Sequence, residues 1–284
     1  MFVMSYFRTE AEALHLAISE DGLRWTPLCD NAPVWRASVG NRSVRDPHLS
    51  QSRDGLFHLF STNSWRSDHI IHAVSEDLLH WRDATLVPVM SHVPHTRNCW
   101  APECFYDEEE ELYRIIWSST VGLKESQYSE GYDHRIWGTT TRDFREYSEA
   151  LLFFDPGYNV IDASVIRHNG QYLMAFKDER GENRQGTDFK AIRVCTAQRA
   201  CDEWMQISEL ITPSLTEGPT VFRRDGHLVM LYDHFCEGFF GASQSDDGIR
   251  WQSITSQMQF PPEPRHASVL EVEDAIAEPL RHLV

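Results

Sequence analysis

The sequence of 284 residues lacks long apolar runs, an excess of basic charge and closely paired cysteines. Its longest apolar stretches have the length of a strand, so no segment is predicted to span a membrane. The chain does not begin with a basic segment and a long apolar core, and we therefore expect a cytoplasmic location. The six cysteines form no C-x-x-C pair, which argues against a zinc ribbon or a redox pair.

Positive charge is scarce, with 26 lysines and arginines against 43 acidic residues and a net charge of −17. This balance disfavours nucleic acid and anionic membranes as partners, and it fits a neutral substrate. The sequence also lacks a linker rich in proline, serine or glycine, and its composition does not shift along the chain. A single domain over residues 1–284 is the simplest prediction.

The sequence does contain a motif that recurs five times: a short apolar strand, a Ser/Thr-rich turn with an acidic residue, and a closing aromatic. The copies are HLAISEDGLRW, IHAVSEDLLHW, IWGTTTRDFREY, IRVCTAQRACDEW and FGASQSDDGIRW, closing at Trp25, Trp81, Tyr147, Trp204 and Trp251. Strand-type repeats at intervals of roughly 50 residues are typical of a β-propeller, in which each blade is a small antiparallel sheet. Because the aromatics recur in the outer part of every blade, we expect them to pack between blades.

A second repeated motif alternates with the first and marks the innermost strand of each blade. Its copies are RDPHLS, WAPECF, IDASVI, EGPTVF and RHASVL, which align Asp46, Ala101, Asp162, Gly218 and His266. The next position is always proline or alanine, and a compact residue suits the crowded wall of the central channel. Two unrelated β-sandwiches would not explain the regular alternation of the two repeated motifs.

Each of the first four inner strands is followed by a second apolar run, and three of the intervening turns carry Asp-Gly or Asn-Gly, a strong hairpin signal. These second strands are predicted at Leu56–Thr62, Leu112–Ser118, Gln171–Phe176 and His227–Asp233. The fifth inner strand has no such run after it, whereas Met1–Phe7 and Glu12–Ser19 resemble a second and a third strand. We therefore predict an all-β, five-bladed β-propeller whose last blade combines outer strands from the N-terminus with an inner strand from the C-terminus, which removes an exposed sheet edge.

Three inner strands begin with a carboxylate: Asp46 on the first, Asp162 on the third, and Glu217 on the fourth, one residue earlier in the alignment. Ligands of propellers usually bind at the mouth of the channel where these strands begin. Carboxylates that converge on one cavity repel one another, which raises some of their pKa values. A glycosidase needs such an arrangement, because one protonated acid donates to the leaving oxygen while one ionised base activates water.

The motifs V-R-D-P-H (Val44–His48), W-A-P-E (Trp100–Glu103), V-I-D-A-S (Val160–Ser164) and T-E-G-P (Thr216–Pro219) resemble those of family 43 of the glycoside hydrolases. The resemblance covers nearly the whole chain and implies a five-bladed propeller that hydrolyses glycosides with inversion. It also implies that Asp46 is the general base, that Glu217 is the general acid, and that Asp162 orients the acid and raises its pKa. The base and acid of an inverting enzyme stand roughly 6.5–9.5 Å apart.

Several neighbouring residues are candidate sugar contacts. Trp65 and Trp100 are expected to stack on sugar rings, with packing in the core as the alternative. Arg45 and Arg265 either bond sugar hydroxyls or neutralise the carboxylates. Glu103 lies further along its strand, where it contacts a hydroxyl or accepts a hydrogen bond at the strand end.

His266 occupies the fifth aligned position, and the resemblance implies a histidine near the propeller axis beside a calcium ion or a water. A channel histidine without metal is the alternative, because calcium prefers oxygen ligands. No cofactor is expected for the chemistry itself. His134 and Arg135, which we assign to the third blade, are weaker candidates for the border of the pocket.

The preferred function is an exo-acting, inverting glycoside hydrolase that removes a terminal pentose from plant-type oligo- or polysaccharides, with α-L-arabinofuranosidase ranked before β-xylosidase. Exo action is expected because the loops at 123–134 and 180–190 could wall off the pocket. A β-galactofuranosidase or another related propeller glycosidase is an alternative. So are a phosphorylase, which needs a cationic cluster at the mouth, and a non-catalytic sugar-binding propeller, which would lack an acid or a base.

Overall fold

The computed structural model describes residues 1–122, 131–181 and 189–284, whose strands form five antiparallel sheets. The chain opens with β1 (Phe2–Phe7), β2 (His15–Ser19) and β3 (Thr26–Pro27). The first blade contains β4 (Arg45–Gln51), β5 (Phe57–Thr62), β6 (Ile70–Ser75) and β7 (Trp81–Val87). The second contains β8 (Trp100–Asp107), β9 (Leu112–Ser119), β10 (Arg135–Thr141) and β11 (Leu151–Phe154).

The third blade contains β12 (Val160–His168), β13 (Gln171–Asp178) and β14 (Ala191–Ala197). The fourth contains β15 (Glu217–Arg224), β16 (His227–His234), β17 (Phe239–Ser245) and β18 (Gln252–Ser253). The chain ends with β19 (Arg265–Glu271) and the helix α1 (Asp274–Arg281). This arrangement confirms the predicted all-β, five-bladed propeller.

The fifth blade joins the two ends of the chain, as the sequence predicted. Its strand order is β19-β1-β2-β3, so the C-terminal strand is innermost and pairs antiparallel with the N-terminal strand. Met4 pairs with Val269 in this ladder. The inner strands contact one another in the order β4, β8, β12, β15 and β19, and β19 contacts β4 again. The ring is therefore closed by hydrogen bonds within one blade.

The serine or threonine and the aspartate of the first repeated motif satisfy the backbone of the turn after the third strand in four of the five blades. Ser75 Oγ accepts a hydrogen bond from the amide of Leu78 at 2.9 Å, and Asp77 Oδ1 accepts from the amides of Leu79 and His80 at 2.9 and 2.8 Å. Ser19 with Asp21, Thr141 with Asp143, and Ser245 with Asp247 make equivalent bonds. Such side-chain bonds are the reason that these residue types recur in turns.

The closing aromatics pack between blades, which confirms their predicted role. Trp25 of the fifth blade is buried and contacts the ring of Phe222 of the fourth at 6.3 Å. Trp204, which follows the third blade, contacts the ring of Phe153 of the second at 5.6 Å. Within the described residues, no helix is long and apolar enough to cross a membrane.

Candidate active site

Each inner strand carries a β-bulge at the position that the sequence alignment singled out. In β4, the residues Asp46 and Pro47 lie opposite a single residue of β5, because Arg45 pairs with Thr62 and His48 pairs with Phe60. The other four inner strands show the same register shift at the same place. A bulge takes a residue out of the ladder and changes the direction of its side chain.

The bulge residues Asp46, Ala101, Asp162, Gly218 and His266 all have a positive φ, between 38° and 56°. Only one of them is glycine, so the other four hold a left-handed conformation that costs an ordinary residue roughly 1–2 kcal/mol. The compact residue that follows was predicted from crowding alone. The structure supplies a further reason, because Pro47, Pro102 and Pro219 lie where the ladder is interrupted and no backbone donor is required.

A cavity of about 90 Å³ lies at this end of the inner strands. Its lining consists of Arg45, Asp46, Thr62, Trp65, Trp100, Ile161, Asp162, Glu217 and His266. Most of these residues occupy either the bulge position of an inner strand or the position just before it. The structure thus brings the three predicted carboxylates together in one cavity.

Asp46 is held by a hydroxyl from the neighbouring strand. Thr62 Oγ1 donates to Asp46 Oδ2 at 2.6 Å, and it accepts from the amide of Ala101 at 2.8 Å. A threonine hydroxyl has a single hydrogen, so the amide bond leaves that hydrogen for the carboxylate. The other oxygen of Asp46, Oδ1, lies 3.5 Å from His266 Nδ1.

Asp162 is the most deeply buried of the three carboxyls. Its Oδ2 accepts from the amide of Gly218 at 3.0 Å, and its own amide donates to Ser118 Oγ at 3.1 Å. Burial raises the pKa of Asp162 to about 7, and the charge of Glu217 acts in the same direction, while His266 opposes it. Asp162 therefore retains a proton at pH values where an exposed aspartate is ionised.

Glu217 lies between two cations. Lys177 Nζ donates to Glu217 Oε2 at 2.8 Å, and Arg265 Nη2 donates to Oε1 at 2.9 Å. Lys177 is also paired with Glu179, and Arg265 Nε donates to Asp233 Oδ2 at 2.5 Å. Arg265 thus neutralises the carboxylate cluster, one of the two roles that the sequence left open.

Two tryptophans form an aromatic wall. The rings of Trp65 and Trp100 meet edge to face at 5.3 Å, and Trp100 Nε1 donates to the carbonyl of Trp65 at 3.2 Å. Trp65 is 57% exposed, so it is not a core residue. The guanidinium of Arg45 lies 4.8 Å from the Trp65 ring, and Arg45 also pairs with Glu12 at 2.6 Å. The wall therefore offers an exposed aromatic face beside the carboxylates.

Glu103 lies outside this cavity, one layer deeper in the channel. Its Oε1 accepts from the amide of Val165 on the next inner strand at 2.5 Å. Ser164 and Ser268 occupy the equivalent position, two residues after the bulge, and they too accept an amide hydrogen from the next inner strand. Burial raises the pKa of Glu103 to about 8. The structure thus gives Glu103 the hydrogen-bonding alternative and places it away from the residues that line the pocket.

The surroundings of His266 offer two carboxylates, so a calcium ion there would take most of its oxygen ligands from water. His266 Nδ1 lies 3.5 Å from Asp46 Oδ1 and 3.9 Å from Asp162 Oδ2. Across residues 1–122, 131–181 and 189–284, no group of three or more His, Cys, Asp or Glu side chains could hold a metal. Calcium requires six to eight oxygen ligands. His266 instead places an imidazole between two carboxylates.

His134 and Arg135 belong to the second blade, so their assignment to the third is wrong. His134 is buried behind the aromatic wall, with its ring 4.7 Å from that of Trp100. Arg135 pairs with Asp133 at 2.6 Å and with Asp155. Most of the loops predicted to wall off the pocket, namely residues 123–130 and 182–188, lie outside the described residues.

Thr62, Lys177 and Asp233 are site residues that the sequence analysis missed. They share one position at the end of a second strand, where they pair with Arg45, Ile161 and Glu217. From there, each bonds to the inner strand of the following blade, at Ala101, Glu217 and Arg265 respectively. Lys177 was missed because the strand was predicted to end at Phe176, although a lysine directly after an apolar run is itself a signal.

Comparisons with known proteins agree with this architecture. A family model described as a probable glycosyl hydrolase domain, of the family-43-related type, matches residues 1–278. An α-L-arabinofuranosidase of Bifidobacterium longum subsp. longum is 28% identical over 98 residues, which are 32% of this chain and 9% of that protein's length. A thermostable family-43 glycoside hydrolase of known crystal structure has a TM-score of 0.64 at 16% identity, over 82% of this chain and 81% of that chain.

The xylan β-1,4-xylosidase of Bacillus halodurans C-125 has a TM-score of 0.63 at 16% identity, over 81% of this chain and 47% of that chain. At such identities the two solved structures show the propeller fold alone. The family model, in contrast, spans nearly the whole chain, including all the motifs that surround the cavity. The chain therefore belongs to the family-43-related glycoside hydrolases.

Proposed function

We propose that this protein is an exo-acting glycoside hydrolase that releases a terminal pentose with inversion, with α-L-arabinofuranosides ranked before β-xylosides. The convergence of Asp46, Asp162 and Glu217 on one small cavity beside an aromatic wall carries the proposal. Family membership supports the hydrolysis of a glycosidic bond, and the short match to an α-L-arabinofuranosidase supports the order of substrates.

In this proposal Asp46 is the general base. The hydroxyl of Thr62 occupies Oδ2, and the second oxygen remains available to accept a proton from a water molecule. The water oxygen forms a bond to the anomeric carbon as the bond from that carbon to the leaving oxygen breaks. Because the two events occur on opposite faces of the sugar, the configuration inverts.

Glu217 is the general acid and transfers its proton to the leaving oxygen. Asp162 supports it in two ways. Its Oδ2 accepts from the amide of Gly218, the residue directly after Glu217, and so fixes the backbone that carries the acid. Above a pH of about 7, where Asp162 is ionised, its negative charge also disfavours ionisation of a neighbouring carboxyl.

The size and charge of the cavity support a single neutral sugar. A volume of about 90 Å³ exceeds the space for one water several times, which suits one ring better than a polymer. The cations at the mouth are more numerous than the sequence suggested, but each is already paired: Arg45 with Glu12, Lys177 with Glu179 and Glu217, and Arg265 with Glu217 and Asp233. A phosphate site would need free cations, so hydrolysis is favoured over phosphorolysis.

A panel of nitrophenyl pentosides and hexosides tests the proposal, with the first-formed anomer identified by proton NMR. We expect hydrolysis of an arabinofuranoside or a xyloside with an inverted product. Asp46→Asn should reduce kcat by about 10²–10⁴-fold on every substrate. Glu217→Gln should lose most on poor leaving groups and least on activated ones, because an activated group needs less protonation.

The matched controls are Asp30→Asn and Glu203→Gln, which make the same chemical changes at exposed positions. A product with retained anomeric configuration would contradict the assigned mechanism, and so would wild-type turnover in both site variants. If the protein hydrolysed a β-galactofuranoside faster than any pentoside, the proposed substrate would be wrong and a β-galactofuranosidase would take its place. Sugar binding without any hydrolysis would favour the non-catalytic alternative.

A further inference from the structure

The cations around Glu217 oppose the protonated state that a general acid needs. A general acid must hold a proton at the working pH, yet both oxygens of Glu217 accept hydrogen bonds from cations, Lys177 at 2.8 Å and Arg265 at 2.9 Å. An opposite charge at such a distance favours the ionised form of a carboxyl over its protonated form. Both cations therefore act against the protonated form that a general acid requires.

Lys177 does not act on Glu217 alone, because it belongs to a chain of alternating charges. Lys190 Nζ pairs with Glu179 Oε2 at 2.8 Å, Glu179 pairs with Lys177, and Lys177 pairs with Glu217. The side chains of Lys177 and Lys190 are each 3% exposed, and that of Glu179 is 12% exposed. Water screens this chain little, so each member influences the next.

The charges of Lys177 and Glu179 are fixed over the ordinary pH range. Burial alone would lower the pKa of Lys177, but the carboxylates of Glu179 and Glu217 hold it above its usual value. Burial alone would raise the pKa of Glu179, but Lys177 and Lys190 lower it to about 2. Lys177 is thus a permanent cation that two carboxylates share.

Charged groups from several other strands also face Glu217. Arg265 belongs to β19, and Asp233 of β16 binds the far side of that arginine. Asp162 of β12, Asp46 of β4 and His266 of β19 line the same cavity. An ionised aspartate favours the protonated form of a neighbouring carboxyl, whereas a cation favours its ionised form.

We propose that Lys177 is a positioning residue that fixes Glu217 and sets the upper pH limit of the acid step, and that Glu179 weakens this effect by sharing the ammonium. The inference rests on the proposed function of Glu217 as the acid. It predicts shifts of opposite sign for the two partners of the same ion pair.

Removal of the cation should extend activity to higher pH. In Lys177→Met, Glu217 loses one charge that favours ionisation, so the basic limb of the kcat/KM profile should move up by about one pH unit. Lys177→Gln retains an N–H donor without the charge and should shift the limb in the same direction. A merely structural role would lower kcat/KM equally at every pH.

Removal of the competing carboxylate should have the opposite effect. In Glu179→Gln the ammonium of Lys177 is no longer shared with an anion, and one negative charge near Glu217 is lost. Both changes favour ionised Glu217, so the basic limb should move to lower pH. Arg250→Met, which removes an exposed cation elsewhere, is the control and should leave the limb in place.

The second readout is the titration of the Glu217 carboxyl carbon by ¹³C NMR, assigned from the signal lost in Glu217→Gln. We expect its midpoint to rise in Lys177→Met and to fall in Glu179→Gln. Shifts in the same direction, or no shift in either variant, would overturn the inference. If Lys177→Met does not fold, Lys177→Gln and Glu179→Gln still give opposite predictions. The titration needs no substrate, so it tests the inference even if the wild-type protein hydrolyses no glycoside.

Discussion

Replacement of Glu103 by glutamine is expected to stabilise the fold at alkaline pH. Glu103 Oε1 accepts from the amide of Val165 at 2.5 Å, while Oε2 lies 3.8 Å from His48 Nδ1. His48 Nε2 donates to the carbonyl of Cys104 at 2.9 Å, and burial lowers the pKa of His48 to about 4. A neutral ring with its hydrogen on Nε2 leaves Nδ1 as an acceptor. The pair is therefore a neutral histidine beside a protonated carboxyl, and not an ion pair.

The magnitude follows from the pKa of Glu103. Burial raises it to about 8 in the fold, against an ordinary value of 4.5. Between these values the unfolded chain has lost the proton that the folded protein keeps, so stability falls as the pH rises. Each pH unit in this window costs about 1.4 kcal/mol, and the total is on the order of 5 kcal/mol. Glutamine keeps the acceptor for Val165 and cannot ionise, so Glu103→Gln removes this loss.

Denaturant unfolding of the two proteins at pH 5 and pH 9 measures the effect. We expect similar free energies of unfolding at pH 5 and a more stable variant at pH 9, by a few kcal/mol or roughly 5–10 °C in Tm. Activity should be unchanged, because Glu103 lies outside the pocket. Glu203→Gln, at an exposed site, should show no such pH dependence. A stability difference that is the same at both pH values would refute the argument, and lost activity at unchanged stability would make Glu103 a substrate contact.

Three further outcomes are expected. Thr62→Val removes the hydrogen bond to the proposed base and leaves the amide of Ala101 without its acceptor, so kcat/KM should fall by about 10–100-fold while Thr62→Ser retains activity. Gly218→Ala should lower both Tm and turnover, because its φ is +56° and an added Cβ would lie 2.9 Å from His266 Nδ1. The control Gly226→Ala also has a positive φ, but its Cβ would meet nothing within 4 Å, so it should cost stability alone. Dialysis against a chelator should leave turnover and Tm unchanged, because no described residues around His266 form a ligand set for calcium; a loss restored by calcium would contradict this.

The repeat could be recognised because the turn after the third strand is stabilised in the same way in four of the five blades. Ser75 and Asp77 bond to the amides of their own turn, so the residues that make the turn lie within five positions of each other. The alternation of the two repeated motifs then placed Asp46, Asp162 and Glu217 at nearly equivalent positions of their inner strands. The strand bounds were close as well, although β13 continues to Asp178 and not only to Phe176.

The contacts between blades could not be predicted from the sequence. Lys177 lies 40 positions from Glu217 and bonds to it only because adjacent inner strands converge in the closed ring. The apolar pattern gave no help, since the second strands are buried on both faces and do not alternate. The positive φ of Asp46 and its equivalents was also not predictable, because even aspartate and histidine adopt it only occasionally and alanine adopts it rarely.

The sequence by itself determined the five blades, the way in which the two ends of the chain join, and the set of residues from which the carboxylates of the site come. These features depend on turns, alternation and spacing, which are local properties. Only the tertiary structure decided the electrostatics: Glu217 between two cations, Asp162 and Glu103 in surroundings that favour their protonated forms, and His266 beside two carboxylates. The reason is physical, because the charge state of a group depends on burial and on partners from other blades, and the closure of the ring supplies both.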